Sequence, residues 1–284
     1  MDAPALVSTD WLASRLNKPN LKVADASWYL PQAGRDPKSE YKAAHIPGAV
    51  FFDIDALSDQ MTDLPHMLPP PAAFTSGIKK VGIGDADFVV FYDGAGIYSA
   101  PRALWMMRAM GHGRAAVLDG GLPKWRREGR PMESGAPLVR TVGRRHFTAR
   151  PEPGLLRDFS AMAENLATQA EQVVDARSPT RFRGEEPEPR PGVRTGHMPN
   201  SVNIHYAEVL TPDGTMRSPA ELRALFAGRG VALKRPIVTS CGSGVTAAIL
   251  SLALELAGAE RIALYDGSWA EWGGRAEAPV ETGA

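Results

Sequence analysis

The sequence predicts an α/β fold in two tandem domains, each a mostly parallel β-sheet covered by helices on both faces. Three observations carry that prediction. The first is an internal repeat. Val23-Ala-Asp25-Ala, His45-Ile-Pro-Gly, Val90-Phe-Tyr-Asp93-Gly-Ala-Gly and a stretch ending at Trp125 stand in the first half. Val173-Val-Asp175-Ala, His197-Met-Pro-Asn, Val238-Thr-Ser-Cys241-Gly-Ser-Gly and a stretch ending at Trp272 answer them 147 to 152 residues later. Matched landmarks at nearly one spacing mark a duplicated unit. The second observation is that short β-branched runs alternate with helical runs, the pattern of parallel strands joined by crossover helices. The third is length, since 284 residues suffice for two domains with separate cores. The division expected is 1–135 for the first domain, 136–154 for a linker and 155–284 for the second.

Each unit opens with an N-cap signal, Ser8-Thr-Asp10 before Trp11 and Leu12, and Asp158-Phe-Ser160 before Ala161 and Met162. Strands are expected at Leu21–Ala24 and Gln172–Asp175, each followed by a polar loop. Short strands follow at Ala49–Phe52 and Ser201–Ile204. A helix, a strand running to Asp93 or Cys241, a further helix and a last strand (Ala116–Leu118; Ile262–Tyr265) complete each unit. The stretch from Glu128 to Pro153 is rich in proline, glycine and arginine and reads as a surface linker. Trp269 and Trp272 are expected to pack the last turn of the second unit.

An apolar fraction of 44% and a charged fraction of 23% are those of a soluble globular protein. Basic and acidic residues balance at 32 each, so no net field argues for nucleic acid or an anionic membrane as partner. One cysteine permits no internal disulfide and fits a reducing compartment. The first residues lack the basic and apolar regions of a signal peptide, and no apolar run reaches the length of a membrane span. A cytoplasmic location is expected. Six histidines and one cysteine show no metal-ligand spacing, and no glycine-rich phosphate fingerprint is present, so neither metal nor cofactor is expected.

The chemistry gathers at Cys241. A buried-strand run, Ile237–Thr239, leads into it, and Gly242-Ser243-Gly244 separates it from Val245–Ala257, an apolar run of helical length. The thiol is therefore expected in a tight loop at a helix N-terminus, where unpaired N–H groups and the helix dipole favour an anion. Gly242 and Gly244 let several amides turn inward to form a nest. A lone cysteine is ordinarily a small buried hydrophobe, but this position reads as that of a nucleophile. Asp93 holds the matching position in the first unit, where a carboxylate is comfortable but supplies no thiol.

Cys241-Gly-Ser-Gly-Val-Thr-Ala247 resembles the active-site loop of the rhodanese superfamily, in its 3-mercaptopyruvate sulfurtransferase branch. Thiosulfate-using members carry basic side chains after the cysteine, where this chain has neutral Gly242 and Ser243. The phosphatase version of such a loop needs an arginine six positions on, where Ala247 stands. The resemblance implies two rhodanese-like domains, of which the first lacks a catalytic cysteine and walls a cleft. Arg181-Phe-Arg-Gly-Glu-Glu-Pro-Glu-Pro-Arg190 resembles the family segment whose first and last arginines bind the substrate carboxylate and keto oxygen, and its prolines read as a stiff extended presentation. Arg183 and Arg194 are expected to be structural. The resemblance further implies substrate contact from Gly242, Gly244, Val245 and Thr246, and a proton relay of Ser243, His45 and Asp36. His45 also reads as a turn residue, since His197 repeats it. The expected activity is cofactor-independent transfer of sulfur from 3-mercaptopyruvate, through a Cys241 persulfide, to cyanide, a thiol or a protein thiol, with release of pyruvate. The alternatives are a thiosulfate:cyanide sulfurtransferase, a persulfide carrier and a purely structural tandem module.

Overall fold

A computed structural model describes residues 4–135 and 146–283. The first half runs β1 (Leu6–Val7), α1 (Thr9–Ala13), β2 (Leu21–Asp25), α2 (Pro37–Ala43) and β3 (Val50–Phe51). It continues with α3 (Pro71–Val81), β4 (Phe88–Tyr92), α4 (Ala100–Ala109), β5 (Ala115–Leu118) and α5 (Gly121–Arg127). The second half repeats the order with β6 (Leu156–Arg157), α6 (Phe159–Thr168), β7 (Gln172–Asp175), α7 (Pro179–Arg183) and β8 (Ser201–Asn203). It ends with α8 (Pro219–Gly228), β9 (Ile237–Ser240), α9 (Ala247–Ala257), β10 (Ile262–Tyr265) and α10 (Ser268–Trp272).

Each half builds one five-stranded sheet, ordered β1-β5-β4-β2-β3 and β6-β10-β9-β7-β8. Every pairing between these strands is parallel. The central strand β4 is buried at all five positions, as a parallel strand covered on both faces must be. Val23, Val90 and Trp125 belong to one core and Val173, Val238 and Trp272 to the other. The two tryptophans also satisfy their indole N–H groups alike, on the carbonyls of Pro131 and Pro279 at 2.8 Å.

Three sets of elements exceed the expectation. The edge strands β1 and β6 have two residues each, too few for any alternation to register. Helices α2 and α7 occupy the loops expected to be irregular, and both begin with a proline behind a capping side chain, Asp36 or Ser178. Helix α10 carries Trp269 and Trp272, which were expected only to pack a turn, and α5 carries Trp125 at the matching place.

The described chain separates into two compact units. One takes in the chain up to Gln60, Leu68–Glu152 and Pro212–Met216, and the other takes in Met61–Met67, Pro153–Thr211 and the chain from Arg217 on. Of the linker expected over 136–154, residues 136–145 lie outside the described residues. Residues 146–152 belong to the first unit, because Phe147 is buried with its ring 6.0 Å from that of Phe74. Backbone bonds from Arg150 to Met110 and from Glu152 to Ala109, each 2.8 Å, carry the attachment on to Glu152. The returning segment Pro212–Met216 is fixed by the Met216 N–H, which donates to Asp119 Oδ1 at 2.9 Å.

Candidate active site

Cys241 follows β9 directly and precedes α9, in the place the sequence gives it. Its side chain is buried, and its backbone is pinned to the start of α10. There the Trp269 N–H donates to the Cys241 carbonyl at 2.9 Å and the Ser268 hydroxyl accepts from the Cys241 N–H at 3.4 Å. Gly244 has a φ of 79°, a turn that a side chain would strain. The backbone N–H groups of residues 243–247 have no hydrogen-bond partner among the described residues.

The matching loop of the first unit explains what such amides do. There Asp93 Oδ2 accepts from the N–H groups of Tyr98 (2.8 Å), Ser99 (2.9 Å) and Ala100 (2.9 Å). Its Oδ1 accepts from Ala95 N–H at 2.9 Å. The loop is an anion cradle whose occupant is built in. In the second unit the residue at the same point is a thiol with a shorter reach, and the amides of residues 243–247 are left without a protein acceptor among the described residues.

Arg181 stands against this loop. A Cβ added to Gly242 would lie 3.0 Å from Arg181 Nη2 and 3.7 Å from Nη1, so the guanidinium lies against this glycine and would have to give by a few tenths of an ångström for a side chain. Arg181 projects from the one-turn helix α7 and not from an extended segment, which corrects the reading of the proline-rich stretch. Its other edge is held by Glu188, with Nε 3.4 Å from Oε1 and Nη2 on Oε2. Glu188 also accepts from Arg177 Nη1 at 2.8 Å, and Arg177 Nη2 reaches Asp175 Oδ2 at 2.7 Å and the Gly196 carbonyl at 2.8 Å. The side chains of Arg177, Asp175 and Glu188 are at most 4% exposed. Burial works against the Arg177 charge, and the Asp175 and Glu188 carboxylates outweigh it, holding its pKa above the usual arginine value. Arg190 lies half-buried on a bend of the same loop. Arg183 pairs with Glu185 at the surface, and Arg194 donates to the carbonyls of Gly273 and Ala278, so both are structural as expected.

The expected relay is not assembled from His45 and Asp36. Asp36 caps α2, accepting from Lys38 N–H, Ser39 N–H and the Ser39 hydroxyl. The His45 ring stacks on Tyr41, and its Nδ1 lies 2.8 Å from the Tyr41 carbonyl, so that nitrogen carries the proton. No hydrogen bond joins the two residues. His197 is used in the same way, stacked on Phe182 with Nδ1 2.8 Å from the Phe182 carbonyl, and both histidines bridge their backbones to a glutamate, Glu133 or Glu281. Repetition in both units marks His45 as architecture. Ser243 itself is buried beside a histidine the sequence did not single out. His66 Nδ1 lies 3.3 Å from the Ser243 carbonyl, in a residue held at a φ of 62°. A carbonyl only accepts, so His66 is protonated on Nδ1. Its one sequence-level signal was its place just before the Pro-rich start of α3.

The rhodanese-like domain family is matched over residues 8–128 and 158–275, the two repeats. The chain belongs to that family. The human 3-mercaptopyruvate sulfurtransferase is 45% identical to this rhodanese over 274 residues, covering 94% of this chain and 91% of that one. The thiosulfate sulfurtransferase of Rattus norvegicus is 40% identical over 98% of this chain and 94% of its own. The crystal structure of SseA from Escherichia coli, titled for the rhodanese fold of 3-mercaptopyruvate sulfotransferases, superposes with a TM-score of 0.85 at 38% identity, covering 94% of this chain and 99% of that one. In the rhodanese described here, no three His, Cys, Asp or Glu side chains among the described residues are placed to hold a metal ion. Among those residues no helix is long and apolar enough to cross a membrane.

Proposed function

We propose that this rhodanese is a sulfurtransferase that takes sulfur from 3-mercaptopyruvate. The observation that carries the reading is a run of amides at residues 243–247 with no protein acceptor among the described residues, next to Cys241, with one arginine edge against the loop and neutral Gly242 and Ser243 in it. The substrate carboxylate and carbonyl lie on Arg181 and Arg190, which places the substrate sulfur at Cys241. The Cys241 thiolate attacks that sulfur. The carbon–sulfur bond breaks, its electron pair passes to carbon as the enolate of pyruvate, and protonation gives pyruvate. The amides of residues 243–247 stabilise the charge on sulfur in the transition state and in the resulting persulfide. A thiol or cyanide then attacks the outer sulfur, and the Cys241 thiolate leaves.

His66 replaces His45 as the histidine of this site, holding the Ser243 turn through its carbonyl. Thiosulfate is the second reading, supported by the similarity to the rat enzyme and by the positive edge of Arg181. The acceptor in the cell is a thiol or protein thiol, and the protein works in the cytoplasm. The deciding assay measures pyruvate from 3-mercaptopyruvate and thiocyanate from thiosulfate in parallel, with Cys241→Ser as control. At least a tenfold preference in kcat/KM for mercaptopyruvate, lost in the variant, is expected. A preference for thiosulfate would reassign the arginines, and activity surviving in Cys241→Ser would remove the nucleophile.

A further inference from the structure

The charges around Arg181 are arranged more fully than sulfur transfer by Cys241 requires. Asp175, Arg177, Glu188 and Arg181 form one chain of alternating sign, with two carboxylates against two guanidinium groups. Three of the four side chains are almost wholly buried, while Arg181 is 19% exposed. The Nε–Nη2 edge of Arg181 is taken by Glu188, and the Nη1–Nη2 edge is the one presented at Gly242. A guanidinium anchored at one edge offers the other as a fixed two-donor fork. Its charge is already balanced within the chain, so the fork meets a ligand as a near-neutral cluster.

The first unit holds the arginine–glutamate pair of this chain at the same interval, more exposed and without the second arginine. Glu40 stands 148 residues before Glu188, as Asp93 does before Cys241. Glu40 binds Arg35 at 2.7 Å (Nε) and 2.6 Å (Nη2), and Arg35 Nη2 would lie 3.2 Å from a Cβ on Gly94. The negative charge that Arg35 feels from the loop is the single carboxylate of Asp93. Where the loop carries its own anion, an arginine anchored by glutamate faces one carboxylate.

We propose that Glu188 is a specificity-determining positioning residue. By fixing the outer edge of Arg181 and cancelling its charge, it tunes the Cys241 loop to a monocarboxylate donor and against a dianion. The inference rests on the sulfurtransferase reading above for its kinetic test but not for its binding test. In Glu188→Gln the amide keeps the shape and leaves the cluster with one uncancelled positive charge. The ratio of kcat/KM for thiosulfate to that for 3-mercaptopyruvate should rise at least about tenfold, mainly through KM, and Glu188→Asp should return it toward wild type. Equal losses for both donors, or no change in the ratio, would reduce Glu188 to a structural role and overturn the proposal.

The second measurement is protection of Cys241 from iodoacetamide by pyruvate and by sulfate, which needs no turnover. Wild type should be protected at lower concentration by pyruvate than by sulfate, and Glu188→Gln should shift the two at least about fivefold toward sulfate. If wild type turns over neither donor but this shift is found, the functional reading fails and the charge assignment stands. If the protection order does not move, the assignment fails whatever the kinetics.

Discussion

The Asp93 loop and the Cys241 loop are the same backbone put to opposite uses. In the first, four amides close on a carboxylate that the chain itself supplies. In the second, the matching amides of Ser243, Thr246 and Ala247 have no partner among the described residues, Ala248 N–H turns to the Val245 carbonyl at 3.3 Å, and a thiol stands in place of the carboxylate. The difference that sets the use is the first residue, Asp93 against Cys241, in two loops that keep both glycines and differ also at Ala95/Ser243, Ile97/Val245, Tyr98/Thr246 and Ser99/Ala247. It teaches that an anion cradle at the start of a helix is satisfied from within when the protein needs only the fold, and left open when an external charge is to be bound.

Turning the second loop into a copy of the first is the severest test. Cys241→Asp should lower turnover at least about a thousandfold. It should also raise the melting temperature relative to Cys241→Ser, because the new carboxylate fills the open amides. A variant that is inactive but no more stable than Cys241→Ser would show that the two cradles differ in shape. The converse change, Asp93→Ala, strips the acceptor from four amides and should destabilise the protein by on the order of 3 kcal/mol in urea unfolding. Sulfur transfer per folded molecule should be kept.

The strand ends offer a second contrast. Asp175 meets Arg177, whereas the matching Asp25 meets no arginine and accepts from Ser27, at 2.9 Å from its N–H, and from Tyr92. Burial pushes the Asp25 carboxyl up to about 6, against the opposing hydrogen bonds of Ser27 and Tyr92. The folded state therefore binds this proton more tightly than the unfolded chain does. Stability from this group is present below about pH 4, is lost as pH rises toward 6, and is level above that. The loss amounts to about 3 kcal/mol. Urea midpoints of wild type and Asp25→Asn at pH 4 and pH 8 should show it, with the variant gaining on wild type as pH rises. A constant difference between them would place the titration elsewhere. The smallest effect is expected from Gly242→Ala, whose methyl would lie 3.0 Å from Arg181 Nη2 and displace the guanidinium slightly. KM should rise roughly tenfold with kcat little changed. Gly94→Ala, whose methyl would run into Tyr29 Oη, should affect stability alone.

The strands bearing landmarks were legible because β-branched runs recur at a fixed interval, and Cys241 was legible because a strand, two glycines and a helix surround it. The two-residue strands β1 and β6 carry no period to read. Glu188 looked like one charge in a solvated proline-rich loop, and only burial beside Arg177 separates it from Glu185, which is exposed. His66 was illegible for a different reason. It lies 177 residues from Ser243, and no local pattern announces a contact at that range. His45 could have been discounted from the repeat itself, since a group with a twin in both units explains architecture better than chemistry.

The exchange of short segments between the two units has a consequence for synthesis on the ribosome. The first unit includes Pro212–Met216, which emerges after the second has been started and only part of it made, and the second includes Met61–Met67 from early in the chain. The nascent first unit therefore waits, one piece short, while its neighbour is translated. A gene cut after Glu152 would encode two unfinished products, each missing a segment that the other retains.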